Sequence, residues 1–183
     1  MKKLLAVIIS CTFAALAVYG VIRCWQMSQT GLGNGTATRW SEELKELSNQ
    51  ICADATTDKE KIDLFYQWII KNIEYDYSYD ETYQHFDVSK TLETRKGLCF
   101  DYANLFAAFC RCQDIRCFVV DGYGRRDPMV KHTWNRVYFD GSWWNADLTS
   151  DAISLQEGKT LYGFHRIDSH EAPDEDYVIT RIY

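Results

Sequence analysis

The chain has 183 residues, which is enough for one domain of ordinary size and a short additional segment. Hydrophobic residues make up 46% of it and aromatic residues 15%, a composition that excludes a mainly disordered chain. The formal net charge is −6, so non-specific binding to nucleic acid is not expected.

The N-terminus predicts a segment that is directed to a membrane. Residues 4–22 carry no charge, follow Lys2 and Lys3, and end before Arg23. Their length approaches the roughly 20 residues that a helix needs to cross a bilayer. Residues 1–23 are compatible with an uncleaved transmembrane anchor, which the long apolar run and Tyr19 favour, and with a secretory signal peptide. Both interpretations place the rest of the chain beyond the membrane, so we expect a membrane-anchored or secreted protein with an extracytoplasmic domain.

Residues 24–38 are expected to form a flexible linker, because the stretch TGLGNGTAT is small, polar and glycine-rich. The predicted domain covers residues 39–183. It contains all 26 acidic residues but only 17 of the 20 basic residues, since the other three precede it, and its net charge is therefore −9. We expect this domain not to bind nucleic acid, and we expect membrane contact only through the N-terminal helix. The sequence does not define an oligomeric state.

Helical patterns come first along the domain. A first helix is predicted from Ser41 to about residue 53, and Thr57 and Glu60 form a capping-box pattern ahead of a second helix. The stretch EYDYSYDETYQHF has no clear period and is interpreted as an irregular segment beside a cleft. A third helix is predicted over about residues 99–113, with apolar residues at helical spacing.

Strand patterns follow the helices. The stretches IRCFVVDGY, HTWNRVYF and SWWNAD are typical of strands, and Asp140 and Gly141 between the last two indicate a hairpin turn. A loop around Gly158 precedes two further candidate strands, LYGFHRI and YVITRIY. Helices followed by strands predict an α+β domain in which helices pack on an antiparallel sheet.

The domain has an odd number of cysteines. Cys52, Cys99, Cys110, Cys112 and Cys117 lie within it, so at least one thiol lacks a partner inside the chain even if two disulfides form. The pairing cannot be derived from the sequence. The spacing C-x-C-x4-C is not a usual zinc pattern, and we predict neither a metal nor another cofactor.

Cys99 stands where a reactive thiol gains from its surroundings. It follows Gly97 by two residues and begins the third predicted helix, whose positive end would stabilise a thiolate. A nucleophilic cysteine also needs a base and a group that orients the base. His132 begins the strand HTWNRVYF and Asp147 ends the strand after the hairpin, so both are expected at the same end of the sheet.

The register of the hairpin can be counted from its turn. A two-residue turn at Asp140 and Gly141 places Phe139 opposite Ser142, so that residue 147 falls opposite residue 134. His132 and Asp147 then share one face as diagonal neighbours, about 7–8 Å apart at the backbone. A slip of one residue would place them on opposite faces.

These motifs resemble the transglutaminase-like family. The stretches GLCFDYANLFAAF and HTWNRVYFDGSWWNADLT carry the resemblance. The segments NIEYDY, before the cysteine, and DIRCFVVDGY, after its helix, also resemble the segments that flank these motifs in the family. The resemblance spans roughly residues 62–149 and implies a papain-like core with a Cys-His-Asp triad in that chain order. Two residues depart from the pattern: Leu148 stands where many relatives carry proline, and Thr133 where alanine is common.

The resemblance implies a role for each member of the triad. Cys99 would attack an amide carbonyl as a thiolate, His132 would take up and later deliver a proton, and Asp147 would hold the imidazole. The backbone N–H of Cys99 would meet the oxyanion, with Tyr75 and Tyr77 as the nearest candidates for a second donor. We therefore expect a transglutaminase-like cysteine protease, amidase or acyltransferase.

The expected partner is a protein or a cell-wall peptide, with a peptidase or amidase activity favoured over cross-linking. The alternative is a catalytically idle module that uses the same cleft for binding or assembly at the cell envelope. A redox function is weak as a third idea, because the chain contains no C-x-x-C motif.

Overall fold

The computed structural model describes residues 31, 38–78, 88–167 and 176–183. The predicted N-terminal helix and most of the predicted linker lie outside these residues. Within the described ranges, none of the helices combines the length and the apolar composition that a bilayer span requires. The elements in chain order are α1 (Glu42–Ile51), α2 (Asp58–Asn72), β1 (Glu74–Tyr75), α3 (Val88–Thr94), β2 (Lys96–Gly97), α4 (Cys99–Arg111), β3 (Cys117–Gly124), β4 (Lys131–Phe139), β5 (Ser142–Ala146), α5 (Leu148–Gln156), β6 (Phe164–Arg166) and β7 (Tyr177–Ile182).

A five-stranded sheet with the order β6-β5-β4-β3-β7 forms one layer of the domain, and every neighbouring pair in it is antiparallel. The predicted α+β class with an antiparallel sheet is thereby confirmed. The hairpin register is also as predicted, with Phe139 opposite Ser142. Asp140 and Gly141 have φ values of +49° and +73°, the left-handed backbone that a two-residue hairpin turn needs.

The helix α4 forms the centre of the core. It contacts α2, α3 and α5 as well as strands β3 and β4. The apolar residues at helical spacing are fully buried: Tyr102, Leu105, Phe106 and Phe109. Because almost all of α4 is enclosed, the position of its first residue is fixed relative to the sheet.

The other two predicted helices also form, with the predicted caps. The side chain of Ser41 accepts a hydrogen bond from Leu44 N, and α1 follows it. Thr57 and Glu60 make both hydrogen bonds of the capping box at the start of α2.

The helix α5 corrects the prediction that all helices precede the strands. It lies between β5 and β6, where the sequence analysis assigned no element before the loop at Gly158. Asp147 is its N-cap, and the Asp147 carboxylate accepts a hydrogen bond from Ser150 N. Leu148 and Ala152 bury one face of this nine-residue helix against the core, which stabilises it in spite of its short length.

Candidate active site

Cys99 is the first residue of α4 and is half-buried. The preceding residue, Leu98, has extended backbone and donates its N–H to Oδ2 of Asp101 at 2.8 Å, which fixes the chain's entry into the helix. Gly97 is needed here because a Cβ atom would lie 2.6 Å from the Cβ of Asp101. Gly97 also pairs with Tyr75 in the short parallel sheet of β1 and β2. The segment before Cys99 is therefore held on two sides.

His132 and Asp147 are in direct contact, on the shared face that the hairpin register predicted. Nε2 of His132 lies 2.7 Å from Oδ2 of Asp147, and their side chains are 12% and 8% exposed. Ser150 holds the carboxylate from the other side, donating its N–H to Oδ1 at 3.1 Å and its hydroxyl to Oδ2 at 2.7 Å. The same carboxylate thus caps α5 and orients the imidazole.

Cys99 lies next to His132, close enough for its side chain to raise the pKa of the imidazole. Because Nε2 of the imidazole faces Asp147, Nδ1 is the nitrogen that remains for the thiol. Burial by itself lowers the pKa of His132, but the hydrogen bonds and charges of Asp147 and Cys99 outweigh it and raise this pKa to about 10. Burial raises the pKa of Asp147, yet its hydrogen bond to His132 and its contacts with Ser150 bring it below the ordinary value. At neutral pH the imidazole is therefore protonated and the carboxylate ionised.

Tyr75 and Tyr77, the candidates for a second oxyanion donor, lie side by side in different environments. Their rings are 4.8 Å apart between centroids. Burial raises the pKa of the Tyr75 phenol, and negative charge on Cys99 raises it further, so Tyr75 lies within electrostatic range of the thiol. The side chain of Tyr77 is 73% exposed. Tyr75 is thus the better placed of the two.

A cleft of about 730 Å³ opens beside Cys99 and His132. Its walls come from α4, β3, β4 and β7. Asp121 on β3 forms an ion pair with Arg181 on β7, with an Nη2–Oδ2 distance of 2.6 Å, and Thr133 donates a hydrogen bond to the same carboxylate. A cleft of this volume accommodates a ligand of several residues' size.

Sequence reasoning missed two residues that contact the His–Asp pair. Ser150 could have been identified from the sequence, because Asp147 and Ser150 have the spacing of a helix N-cap and its N3 partner. Tyr177 on β7 places its ring centroid 5.2 Å from that of His132. No motif marks Tyr177, which is 45 positions further along the chain. His85, in the irregular segment EYDYSYDETYQHF, lies outside the described residues.

The remaining thiols of the domain are Cys52, Cys110, Cys112 and Cys117, and all of them are free, as is Cys99. Burial raises the pKa of Cys110 and Cys112. Within the part of the chain that the structure describes, no three histidine, cysteine or acidic side chains are grouped so that they could hold a metal ion.

The fold is α+β with an antiparallel sheet, and its candidate site brings His132 and Asp147 into contact next to Cys99. The profile of the transglutaminase-like superfamily matches residues 45–148, and the chain belongs to this superfamily. Human kyphoscoliosis peptidase is 32% identical over 117 residues, which cover 58% of this chain and 18% of that protein. The Drosophila melanogaster peptide-N(4)-(N-acetyl-beta-glucosaminyl)asparagine amidase is 32% identical over 73 residues, which cover 39% of this chain and 11% of that protein. The chain therefore spans less than a fifth of the length of these relatives.

Two solved structures share the fold. A candidate cysteine protease from Cytophaga hutchinsonii has a TM-score of 0.57 at 21% identity, covering 84% of this chain and 53% of that one. The periplasmic domain of TgpA from Pseudomonas aeruginosa has a TM-score of 0.56 at 17% identity, covering 72% of this chain and 49% of that one. At these identities the similarity shows the fold alone.

Proposed function

We propose that this protein is an extracytoplasmic thiol enzyme that acts on amide bonds of proteins or cell-wall peptides through Cys99, His132 and Asp147. One observation carries the proposal: a single imidazole contacts a buried carboxylate and lies next to a cysteine at a helix N-terminus, beside an open cleft. Membership of the transglutaminase-like superfamily supports it, as do the names of two relatives, a peptidase and an amidase.

In the first half-reaction, Sγ of Cys99 attacks the amide carbonyl carbon and the carbonyl electrons move onto oxygen. The oxyanion would face the N-terminus of α4, where the backbone N–H of Cys99 is its donor. His132 then donates its Nδ1 proton to the amide nitrogen, the C–N bond breaks, and a thioester remains on Cys99. Asp147 keeps its hydrogen bond to Nε2 throughout and stabilises the imidazolium.

In the second half-reaction, an acceptor attacks the thioester while His132 removes the acceptor's proton. Water as acceptor gives a carboxylic acid, and the thiolate leaves as the C–S bond breaks. An amine as acceptor would instead give a new amide by the same steps. We favour hydrolysis, because the cleft opens to bulk water.

The test compares Cys99→Ala with Cys112→Ala, which removes a half-buried thiol from the other end of the same helix. The full-length variants are incubated with a panel of capped peptides and peptidoglycan fragments, and products and acyl-enzyme are followed by mass spectrometry. We expect product and a thioester adduct on Cys99 in the wild type and in Cys112→Ala, and neither in Cys99→Ala. Unchanged turnover in Cys99→Ala would refute the enzyme proposal. Tight peptide binding without turnover in all three proteins would favour the idle binding module.

The extracytoplasmic location is a separate part of the proposal. It is supported by the uncharged run over residues 4–22 that follows Lys2 and Lys3. A membrane-impermeant maleimide added to intact cells should label Cys99, with Cys99→Ala as the control for the site. Labelling that appears only after lysis would contradict this location while leaving the chemistry intact.

A further inference from the structure

Three aromatic rings form a cluster on the sheet beside the candidate active site. The centroid of the His132 ring lies 5.2 Å from that of Tyr177 and 5.9 Å from that of Trp134, and the other two centroids are 5.4 Å apart. The His132 and Trp134 planes are inclined by only 21°, and the His132 and Tyr177 planes by 33°. Trp134 is 1% exposed, so the cluster has a fixed base. The imidazole is therefore held by ring contacts as well as by its hydrogen bond to Asp147.

A β-bulge determines which face of the sheet Tyr177 occupies. Asp121 on β3 pairs with Arg181 on β7, but the next residue, Gly122, pairs with Ile179, so that one extra residue lies on β7. Beyond this bulge Tyr177 pairs with Gly124. Without the extra residue the register would differ by one, and the Tyr177 side chain would point to the opposite face, away from His132.

Gly122 provides the space for this arrangement. It is the direct cross-strand partner of His132 on β4. A Cβ atom at Gly122 would lie 2.9 Å from the carbonyl oxygen of Val178 and 3.0 Å from Cη2 of Trp134. The missing side chain thus lets the Trp134 ring and the β7 backbone approach each other, which brings Tyr177 to the imidazole.

Tyr177 also lines a second cavity next to Asp147. This cavity of about 150 Å³ is lined by Asp147, Ser150 and Tyr177 among other residues. The Tyr177 ring therefore contacts both this cavity and the imidazole. Replacing the ring with a smaller side chain would enlarge the cavity beside the Asp147 carboxylate.

We propose that Tyr177 is a positioning residue of the candidate active site: its ring packs on the His132 imidazole and holds it in the orientation that contacts Asp147 and faces Cys99. The inference rests on the proposed function, since it assigns how the proposed base is kept in place. Two backbone features place the Tyr177 ring there: the bulge in β7 and the absence of a side chain at Gly122.

The charged groups around His132 are consistent with a neutral, electron-rich phenol ring at Tyr177. Cys99 faces the imidazole from α4, Asp147 faces it from the start of α5, and Tyr177 faces it from β7, next to Asp176. Burial raises the pKa of the Tyr177 phenol, and negative charge on Asp147, Asp176 and Cys99 raises it further. Tyr177 therefore stays un-ionised at neutral pH, and the face of a neutral phenol ring attracts a cationic imidazolium.

The experiment measures the rate of Cys99 alkylation by iodoacetamide as a function of pH in the full-length protein, with mass spectrometry identifying the labelled cysteine. Tyr177→Phe keeps the ring and should follow the wild type. Tyr177→Leu removes the ring, and we expect its labelling rate at about pH 6, below the ordinary thiol pKa of about 8.5, to fall about tenfold. Val178→Ala on the same strand is the matched control and should follow the wild type.

A second readout separates positioning from a general loss of stability. The ¹⁵N chemical shifts of His132 report its tautomer and protonation, and we expect them to change in Tyr177→Leu and to stay at wild-type values in Tyr177→Phe. Tyr177→Met, which keeps more of the volume, takes the place of Tyr177→Leu if circular dichroism shows that the leucine variant is unfolded.

Superimposable pH profiles and His132 shifts in the wild type and the ring-free variant would overturn the inference, as would an equal loss in Val178→Ala. Failure of the proposed function has a different signature: wild-type Cys99 would then label only near the ordinary thiol pKa of about 8.5. In that case the His132 shifts alone decide whether Tyr177 positions the imidazole.

Discussion

Replacing Asp147 with asparagine separates the two tasks of this side chain. The substituted side chain keeps an oxygen that can accept the N–H of Ser150, now 3.1 Å from Oδ1, so the cap of α5 should survive. Its amide nitrogen takes the place of Oδ2, which accepts from both His132 and the Ser150 hydroxyl at 2.7 Å. A donor then faces two donors, and the imidazole loses the partner that favours its protonated form.

The size of the effect of Asp147→Asn follows from the pKa of His132, which is about 10 in the folded protein against an ordinary value of 6.5. The net difference corresponds to roughly 5 kcal/mol, in which the favourable effects of Asp147 and Cys99 exceed the opposing effect of burial. Asp147 is the stronger of these two favourable partners, so its loss should lower the pKa markedly and remove more than half of this energy, roughly 3 kcal/mol. The imidazole is largely buried, so solvent screening reduces this value little.

The direction in which the free energy of unfolding changes with pH follows from the raised pKa of His132. A folded-state pKa above the unfolded-state value stabilises the protein fully below the ordinary pKa of 6.5, and this stability is lost as the pH rises toward about 10. The free energy of unfolding of the wild type should therefore fall across this window. Asp147→Asn should be less stable at neutral pH and should show a flatter and earlier decline.

The assay combines an NMR titration of His132 with urea denaturation at several pH values, in the wild type, Asp147→Asn and Ser150→Ala. Ser150→Ala removes the hydroxyl that bonds Oδ2 but keeps the contact of Asp147 with His132, so it should shift the His132 pKa much less. A His132 pKa near 10 in Asp147→Asn, together with a wild-type stability curve, would refute the reasoning.

Three substitutions test the packing around the site by urea denaturation. Asn135 is fully buried and donates to the carbonyl oxygens of Ala103 on α4 and of Phe118 on β3. Asn135→Ala should therefore lower the free energy of unfolding by about 1–3 kcal/mol, and a change below the error of the assay would contradict this. Tyr66→Phe removes a hydroxyl that donates to the fully buried Asp151, and the free energy of unfolding is expected to fall by about 1.5–3 kcal/mol. Equal or higher stability would show that the carboxylate needs no such donor. Gly141→Ala should cost about 1–2 kcal/mol through its positive φ alone, because nothing lies within 4 Å of an added Cβ; a neutral result would mean that the turn relaxes.

The hairpin and the site pair could be predicted because local rules determine them. The turn at Asp140 and Gly141 sets the register of β4 and β5, and that register brings His132 to Asp147. The start of α4 at Cys99 was equally predictable, since apolar residues at helical spacing follow it. Each of these inferences uses residues that are near one another in the chain or related by one turn.

The features that escaped prediction depend on contacts between distant parts of the chain. Tyr177 reaches His132 only because β7 pairs with β3 and carries a bulge, and neither the pairing nor the bulge has a sequence signal. The ion pair between Asp121 and Arg181 depends on the same pairing. Helix α5 was missed for another reason: it is short and its stability comes from burial of Leu148 and Ala152.

Helix α5 also explains why Leu148 can stand where many relatives carry proline. Leu148 is the first helical residue after the N-cap Asp147. At this position the backbone N–H has no acceptor within the helix, and the backbone angle that proline imposes is already helical, so proline is favoured without being required. Leucine supplies a buried side chain instead, with 2% exposure. In either case Asp147 remains the N-cap, held by Ser150, and its second oxygen stays directed at His132.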